Sequence, residues 1–322
     1  MVGKLTNDHE MSCSILATAA GLNPWKSRID LLGEMILAKR GENVRTEQTA
    51  IMSRGDTLEP ILLTTACHEL GIKTFDVDID KPIRHSEIPL QGSLDGLCHV
   101  IKPDGMTIKE DTSKGIYVMN DEKEIWLNGK GVMECKLTSA YQEDEPPTWR
   151  GPMQLQGLMD IEGASYGILV VCYQSIYWRY FIYPRNEEMV AEIHTLVKDM
   201  DRRVKEEDFF PPESPKDAST LYPETNEQHV DLNDDAMDFI DLYQHAAKSI
   251  KHWQSVKEDA QVSLMGIMQD NTTGSITVDD TTYVVKWGMR TVKPKPSKII
   301  PEEPGYTVRS NSISIKEVSN DI

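Results

Sequence analysis

The spacing of apolar residues divides the chain into an N-terminal part that switches between helical and strand periods and a C-terminal part dominated by one long helical stripe. Residues 12–21 read as a short helix closed by glycine, and a second helix opens at Ser27 and turns Ile29, Leu32, Met35 and Ile36 inward. Over residues 48–70, Ile51, Leu58, Ile61, Leu62, Ala66 and Leu70 recur three and four apart, which predicts a helix capped by Gly71. Strand-like runs follow at 73–77, 92–100 and 132–137, with the polar stretch 103–128 as a loop or hairpin between the last two. Residues 149–162 predict a helix ended by Gly163, 166–173 and 177–183 two strands, and 187–204 an amphipathic helix.

Residues 209–233 are rich in proline, acid and serine and have no period, which predicts a linker. Beyond them Ile240, Tyr243, Ala247, Ile250, Trp253, Val256, Ala260, Leu264 and Ile267 trace the stripe of a long amphipathic or coiled helix. Runs 274–278 and 281–287, joined at Asp279-Asp280, predict a β-hairpin, and the proline-rich remainder from 291 predicts disorder. The expected organisation is a domain over 1–208, a linker over 209–233, a helix-plus-hairpin appendage over 234–290 and a tail over 291–322. The order of elements gives an α/β (α+β) class, a central mixed sheet flanked by helices.

Length and composition permit one large core with an appendage, since 39% of 322 residues are hydrophobic. No run approaches the roughly 18 apolar residues of a membrane span, which leads to the expectation of a cytoplasmic protein. Five cysteines, odd in number and without a CxxC pair, signal neither a disulfide framework nor a zinc site. A net charge of -18 opposes a protein that coats nucleic acid through its whole surface, but permits a basic groove inside an acidic shell. The acid is concentrated at residues 201–245, with 13 Asp and Glu against 4 Lys and Arg, so that segment is expected to lie away from any DNA.

Chemistry enters with Glu134-Cys135-Lys136. Strand alternation sends Glu134 and Lys136 to one face and Cys135 to the other. One such triplet is ordinarily a solvated sheet face. Here it follows a helix glutamate, Glu59, and Asp95 beside a glycine, and it precedes a helix carrying Gln154. Two or three carboxylates with a backbone carbonyl can hold magnesium, and hydrolysis of a phosphodiester needs an activated water and stabilised phosphoryl charge. Asp95 and Glu134 are hard oxygen ligands, Cys135 offers its carbonyl, Glu59 reaches in from the helix, and Lys136 orients or deprotonates the water.

Gly55-Asp-Thr-Leu-Glu59, Ser93-Leu-Asp95-Gly-Leu, Glu134-Cys-Lys136 and Gln154-Leu-Gln156 resemble the ordered motifs of the YqaJ-like viral recombinases, the phage lambda exonuclease family within the PD-(D/E)xK nucleases. Ser14 to Trp25, ending Gly-Leu-Asn-Pro-Trp, resembles that family's N-terminal motif, and the likeness covers residues 11–205. It implies a restriction-endonuclease-like core with Glu59, Asp95, Glu134 and Lys136 catalytic and Gln154 supporting them. It implies a Mg2+-dependent (or Mn2+-dependent) exonuclease that digests the 5′ strand of linear duplex DNA, often as a trimer, and leaves 3′ single strands for an annealing protein. It also implies 5′-phosphate contacts from Ser14 and Ser93, with Thr138 or Ser139 contributing. The pattern departs from the family at Asn7, where an arginine is expected, and at Gly151, where a tyrosine is expected.

The rival readings are an endonuclease of restriction or repair type on the same fold, and a non-catalytic DNA-binding scaffold. The histidines, His68 and His99 among them, are read as packing or solvent-facing, and the aromatics at 173–183 as core and cross-strand pairs rather than base-stacking surfaces.

Overall fold

The computed structural model describes residues 6–45, 47, 49–77, 79, 82–100, 105–224, 229–279 and 281–288. The tail expected from residue 291 and Asp280 of the hairpin turn lie outside them. The chain forms two compact units, 1–221 and 222–322.

The first unit opens with β1 (Met11–Ser12), a 3-10 turn, α1 (Leu16–Ala19), α2 (Arg28–Lys39) and α3 (Ala50–Glu69). Then come β2 (Thr74–Val77), β3 (Pro82–Arg84), β4 (Leu90–Ser93), β5 (Gly96–Val100), β6 (Met106–Lys109), β7 (Ile116–Val118), β8 (Glu124–Leu127) and β9 (Gly129–Thr138). It closes with α4 (Pro152–Glu162), β10 (Tyr166–Tyr173), β11 (Tyr177–Pro184), α5 (Glu187–Glu206) and α6 (Pro215–Leu221). Six strands form a mixed sheet in the order β2-β5-β9-β10-β11-β7, with β9–β10 and β11–β7 parallel and the other pairs antiparallel. A three-stranded sheet, β1-β4-β3, stands apart from it.

Every residue of β10 is buried, which is why its sequence is an unbroken apolar run rather than an alternating one. Leu169 and Val171 pack with Leu32 of α2, Leu158 of α4 and Val197 of α5. Ile168 and Val170 face the opposite way, onto Leu63 and Ala66 of α3. Helices therefore cover both faces of the sheet, and each fully buried Leu or Ile contributes roughly 1.5–3 kcal/mol. The helices start where the side chains cap them: Ser27 accepts from the Asp30 amide (3.1 Å), Thr49 from Met52 (3.2 Å) and Asn186 from Met189 (3.0 Å). Gly71 and Gly163 end two of them with φ of +75° and +64°.

Four segments depart from the pattern-based reading. The helix expected over 12–21 is reduced to a 3-10 turn and one helical turn, because Met11 and Ser12 are taken into a parallel pairing with Leu90 and Gln91. The run 92–100 is two strands in two sheets, broken at Leu94-Asp95. Within 103–128 the chain forms the antiparallel β6–β8 ribbon and also supplies β7 as an edge strand of the main sheet. Residues 209–221 pack into the first unit: Phe210 is buried under the Arg28 and Arg203 guanidinium groups, 4.2 and 3.9 Å from its ring centre, and α6 buries Asp217.

The second unit consists of α7 (Asp235–Met268) and the hairpin β12 (Thr273–Val278) and β13 (Thr281–Lys286), close to the expected bounds. No helix among the described residues is long and apolar enough to cross a membrane.

Candidate active site

β9 carries Val132 into the core on the α4 side of the sheet and Met133 and Cys135 into the core on the α3 side. Glu134 and Lys136 thus face α4, as strand alternation requires. Lys136 Nζ donates to Glu134 Oε1 (2.5 Å) and to Gln154 Oε1 (3.0 Å), the latter on the first turn of α4. Gly151 fixes where that helix begins: its φ is +115°, and a Cβ there would meet Leu169 Cδ1 at 2.6 Å. A tyrosine, which the resemblance led one to expect here, is strained by this backbone.

Asp95 lies in the gap between β4 and β5, and its Oδ2 accepts from the Cys135 amide (2.8 Å). The N–H and C=O of a strand residue point to the same side, so the Cys135 carbonyl also faces Asp95, where pairing with β5 has already ended at Gly96–Met133. Glu59, on α3, and Glu134 both lie close enough to Asp95 for its charge to act on them. Three carboxyl groups, from a helix, a strand and the turn between two strands, thus converge beside one lysine.

Their electrostatics follow from that crowding. Burial, then the charge of Asp95, pushes the Glu59 carboxyl up to about 8, with Lys136 opposing. Burial and Asp95 push Glu134 to about 8 as well, and burial raises Asp95. Burial would lower the Lys136 ammonium, but Glu134 and Asp95 outweigh it and hold the group above its ordinary range. Glu134 is 1% exposed, and its Oε2 has no hydrogen-bond partner among the described residues. An orphaned buried carboxylate oxygen beside two more acids fits a hard cation.

No family model matches the sequence, and no curated protein matches it. Among solved structures the chain is similar to LHK-Exo, an alkaline exonuclease from Laribacter hongkongensis that is also known in complex with dAMP. The identity is 19%, over 62% of this chain and 90% of that one, with a TM-score of 0.43. It is also similar to a phage-related exonuclease from Haemophilus somnus 129PT, at 13% identity over 62% and 96% of the two chains, with a TM-score of 0.39. Likenesses this distant assign no function.

The hydroxyl residues fall at one end of the small sheet. The parallel register Ser12–Gln91 carries Ser14 and Ser93 to the same end of β1–β4, two residues before Asp95. Ser14 Oγ is exposed and 3.1 Å from Ser12 Oγ. Thr138 and Ser139 follow Lys136 after Leu137, and Thr138 Oγ1 accepts from the Ala140 amide (3.1 Å). Asn7, in the place of the expected arginine, is tied through its backbone to the Gln91 side chain (2.9 and 3.2 Å). Tyr173, Tyr180 and Phe181 are buried and pack as expected, whereas Tyr177 is 47% exposed.

Sequence reasoning overlooked two features. Asp56, one turn before Glu59 on α3, adds negative charge to that residue's surroundings; the i, i+3 spacing in Gly55–Glu59 is the signal that could have shown it. The second is a His85–Asp160–His194 cluster, the one grouping among the described residues that distance alone would nominate for a metal. The tautomer argues against a metal there. His85 Nδ1 accepts from the Glu87 and Ile88 amides (3.0 and 3.2 Å), so the ring proton sits on Nε2, which donates to Asp160 Oδ2 (3.2 Å) and offers no lone pair. Asp160 also receives His194 (2.6 Å) and Arg185 (2.6 Å). These residues come from three distant segments, and no sequence spacing announces them.

Proposed function

We propose that the protein is a divalent-metal-dependent deoxyribonuclease of the PD-(D/E)xK type, an exonuclease on linear duplex DNA. The observation that supports this most directly is the convergence of Glu59, Asp95 and Glu134 beside Lys136, with one Glu134 oxygen left unpartnered. Glu59, Asp95, Glu134 and the Cys135 carbonyl would hold Mg2+, or Mn2+ in its place, and a cation there supplies Lewis acidity and a more acidic water.

The protein's own groups do the rest. Glu134 and Gln154 aim the Lys136 ammonium at the carboxylate cluster, where it orients the attacking water and stabilises charge developing on the phosphoryl oxygens. Asp95 fixes the Cys135 peptide and through it the end of β9. Ser14 and Ser93, with Thr138 and Ser139, bind a 5′-phosphate, which gives 5′ to 3′ digestion and a 3′ single strand for an annealing protein. DNA ends and that annealing protein are the proposed partners, and the cytoplasm of a bacterial or phage-infected cell is the proposed location.

The decisive experiment offers the protein with Mg2+ two substrates, a 5′-phosphorylated linear duplex labelled on each strand and a covalently closed circle. Shortening of the 5′ strand alone, abolished by EDTA, is the expected result. Cleavage of the circle would replace the exonuclease by an endonuclease, and no metal-dependent cleavage of either would remove the nuclease reading.

A further inference from the structure

Hydroxyl groups alone do not tell a terminal phosphate from the rest of a DNA backbone. The monoester at a 5′ end carries close to two negative charges and an internal diester one, and a cation reads that difference. Ser14 and Ser93 are uncharged, and Asn7 stands where an arginine is expected. A cation for this end of the small sheet has to come from another segment.

β3 supplies it. Gly92 of β4 faces α4, since a Cβ there would meet Leu158 Cδ2 at 2.6 Å, so Gln91 and Ser93 face the other way. The antiparallel register Arg84–Gln91 and Pro82–Ser93 puts the Arg84 side chain on that same outer face. The parallel register Ser12–Gln91 puts Ser12 there too, with the Ser14 hydroxyl 3.1 Å from its own. Arg84 and Ser93 are one strand and two residues apart, about 8 Å between Cα atoms, which an arginine side chain spans.

In the structure the guanidinium rests on Glu10. Arg84 Nη1 donates to Glu10 Oε2 (2.6 Å), and Nη2 reaches Gln91 Oε1 (3.5 Å). The Asn7 side chain donates to the other oxygen of the same carboxylate, Glu10 Oε1 (3.2 Å). The guanidinium therefore lies beside the place from which an arginine at position 7 would extend. Although burial opposes it, Arg84 and Asn7 hold the Glu10 carboxyl below its ordinary value, so this resting partner is charged at neutral pH. The pair is open to water, with the Arg84 side chain 55% and the Glu10 side chain 27% exposed, and an ion pair so placed contributes little. A phosphate monoester accepts two parallel hydrogen bonds from an arginine and displaces such a carboxylate at small cost.

We propose that Arg84 is the charge-reading residue of the 5′-phosphate site, leaving Glu10 for the terminal phosphate held at Ser14 and Ser93 and filling from β3 the role that Asn7 cannot. This inference rests on the nuclease reading and names what its end site selects. The test uses the full chain and two fluorescent duplexes that differ only in a 5′-phosphate or a 5′-hydroxyl, bound in EDTA so that nothing is cut. Wild type should bind the phosphorylated end about tenfold tighter. Arg84→Ala should abolish that preference while changing affinity for the hydroxyl end by less than about threefold, the loss of one backbone contact. Glu10→Gln, which removes the competing carboxylate, should strengthen the preference, and Asn7→Arg added to Arg84→Ala should restore it. A preference that survives Arg84→Ala, or an equal loss of affinity for both ends, overturns the assignment. Equal binding of the two ends by a wild type that still cleaves them with Mg2+ overturns it as well and leaves the nuclease reading standing, whereas absence of both binding and cleavage removes the two together.

Discussion

Two charged clusters share α4 and have opposite balances. Around Gln154, three carboxyls meet one ammonium, and burial with mutual repulsion drives the acids upward, Glu59 and Glu134 to about 8. Around Asp160, less than two turns further along, one carboxylate receives an arginine and two histidines, and although burial opposes it, Arg185 and His194 hold its carboxyl below its usual value. The second cluster has satisfied its own charge. The first has a deficit of positive charge that protons on its acids or an added cation must make up, and this contrast separates a binding site from a structural brace, where a count of potential ligands alone would have favoured the brace.

The sharpest way to break the contrast is Lys136→Ala, which should lower DNA cleavage by at least about a thousandfold while leaving binding and the circular dichroism spectrum intact. Cleavage within tenfold of wild type would take Lys136 out of the mechanism. Asp95→Asn and Glu134→Gln should each weaken Mg2+ binding measured by calorimetry, because a charged oxygen ligand becomes a neutral amide. Glu134→Gln should also raise the melting temperature of the metal-free protein at pH 8.5, by about 2–4 °C for each kcal/mol of relieved burial; a lower melting temperature would mean the carboxylate is not frustrated.

The pH dependence sharpens the same point. The folded protein keeps protons on Glu59 and Glu134 that the unfolded chain releases above 4.5, so the metal-free protein should lose stability as pH rises from 4.5 toward about 8. Metal must displace those protons. The melting-temperature increase on adding Mg2+ should therefore be larger at pH 8.5 than at pH 6, and an increase independent of pH would refute the shared protonation. Asp160→Asn is expected to cost about 1–3 kcal/mol in denaturant unfolding through lost hydrogen bonds to charged groups, with Mg2+ affinity unchanged. Smallest of all is truncation after Leu221, the end of the first compact unit, which should leave hydrolysis of short duplexes within a few-fold of wild type.

How much of this was legible in the sequence depended on the range of the interaction. α3, α5, α7 and the β10–β11 pair follow from periods written in consecutive residues, and their ends from Ser27, Thr49, Asn186 and the glycines. The shared face of Glu134 and Lys136 follows from strand alternation alone. What the sequence hid was set by partners far along the chain. β1 forms because Leu90 and Gln91 lie beside it, β4 and β5 separate because two sheets compete for one apolar run, and Phe210 and Asp217 are drawn into the first unit by Arg28, Arg203 and neighbours of α2. Acid and proline at 209–221 suggested a linker, since composition records solubility but not a cation–π sandwich. The Asp160 cluster was invisible for the same reason.

The break at Leu94-Asp95 bears on how such a protein can diverge. The proposed phosphate-gripping hydroxyls Ser14 and Ser93 belong to the small sheet, whereas Glu134 and Lys136 belong to the large one, and Asp95 stands at the joint. Drift in β1, β3 or β4 can reshape what the protein grips while the carboxylates keep their geometry, so descendants of this fold are free to change substrate ends without reinventing the chemistry. The joint itself has no such freedom: a one-residue insertion between Ser93 and Gly96 would turn Asp95 out of register with the Cys135 amide and uncouple the two halves at once.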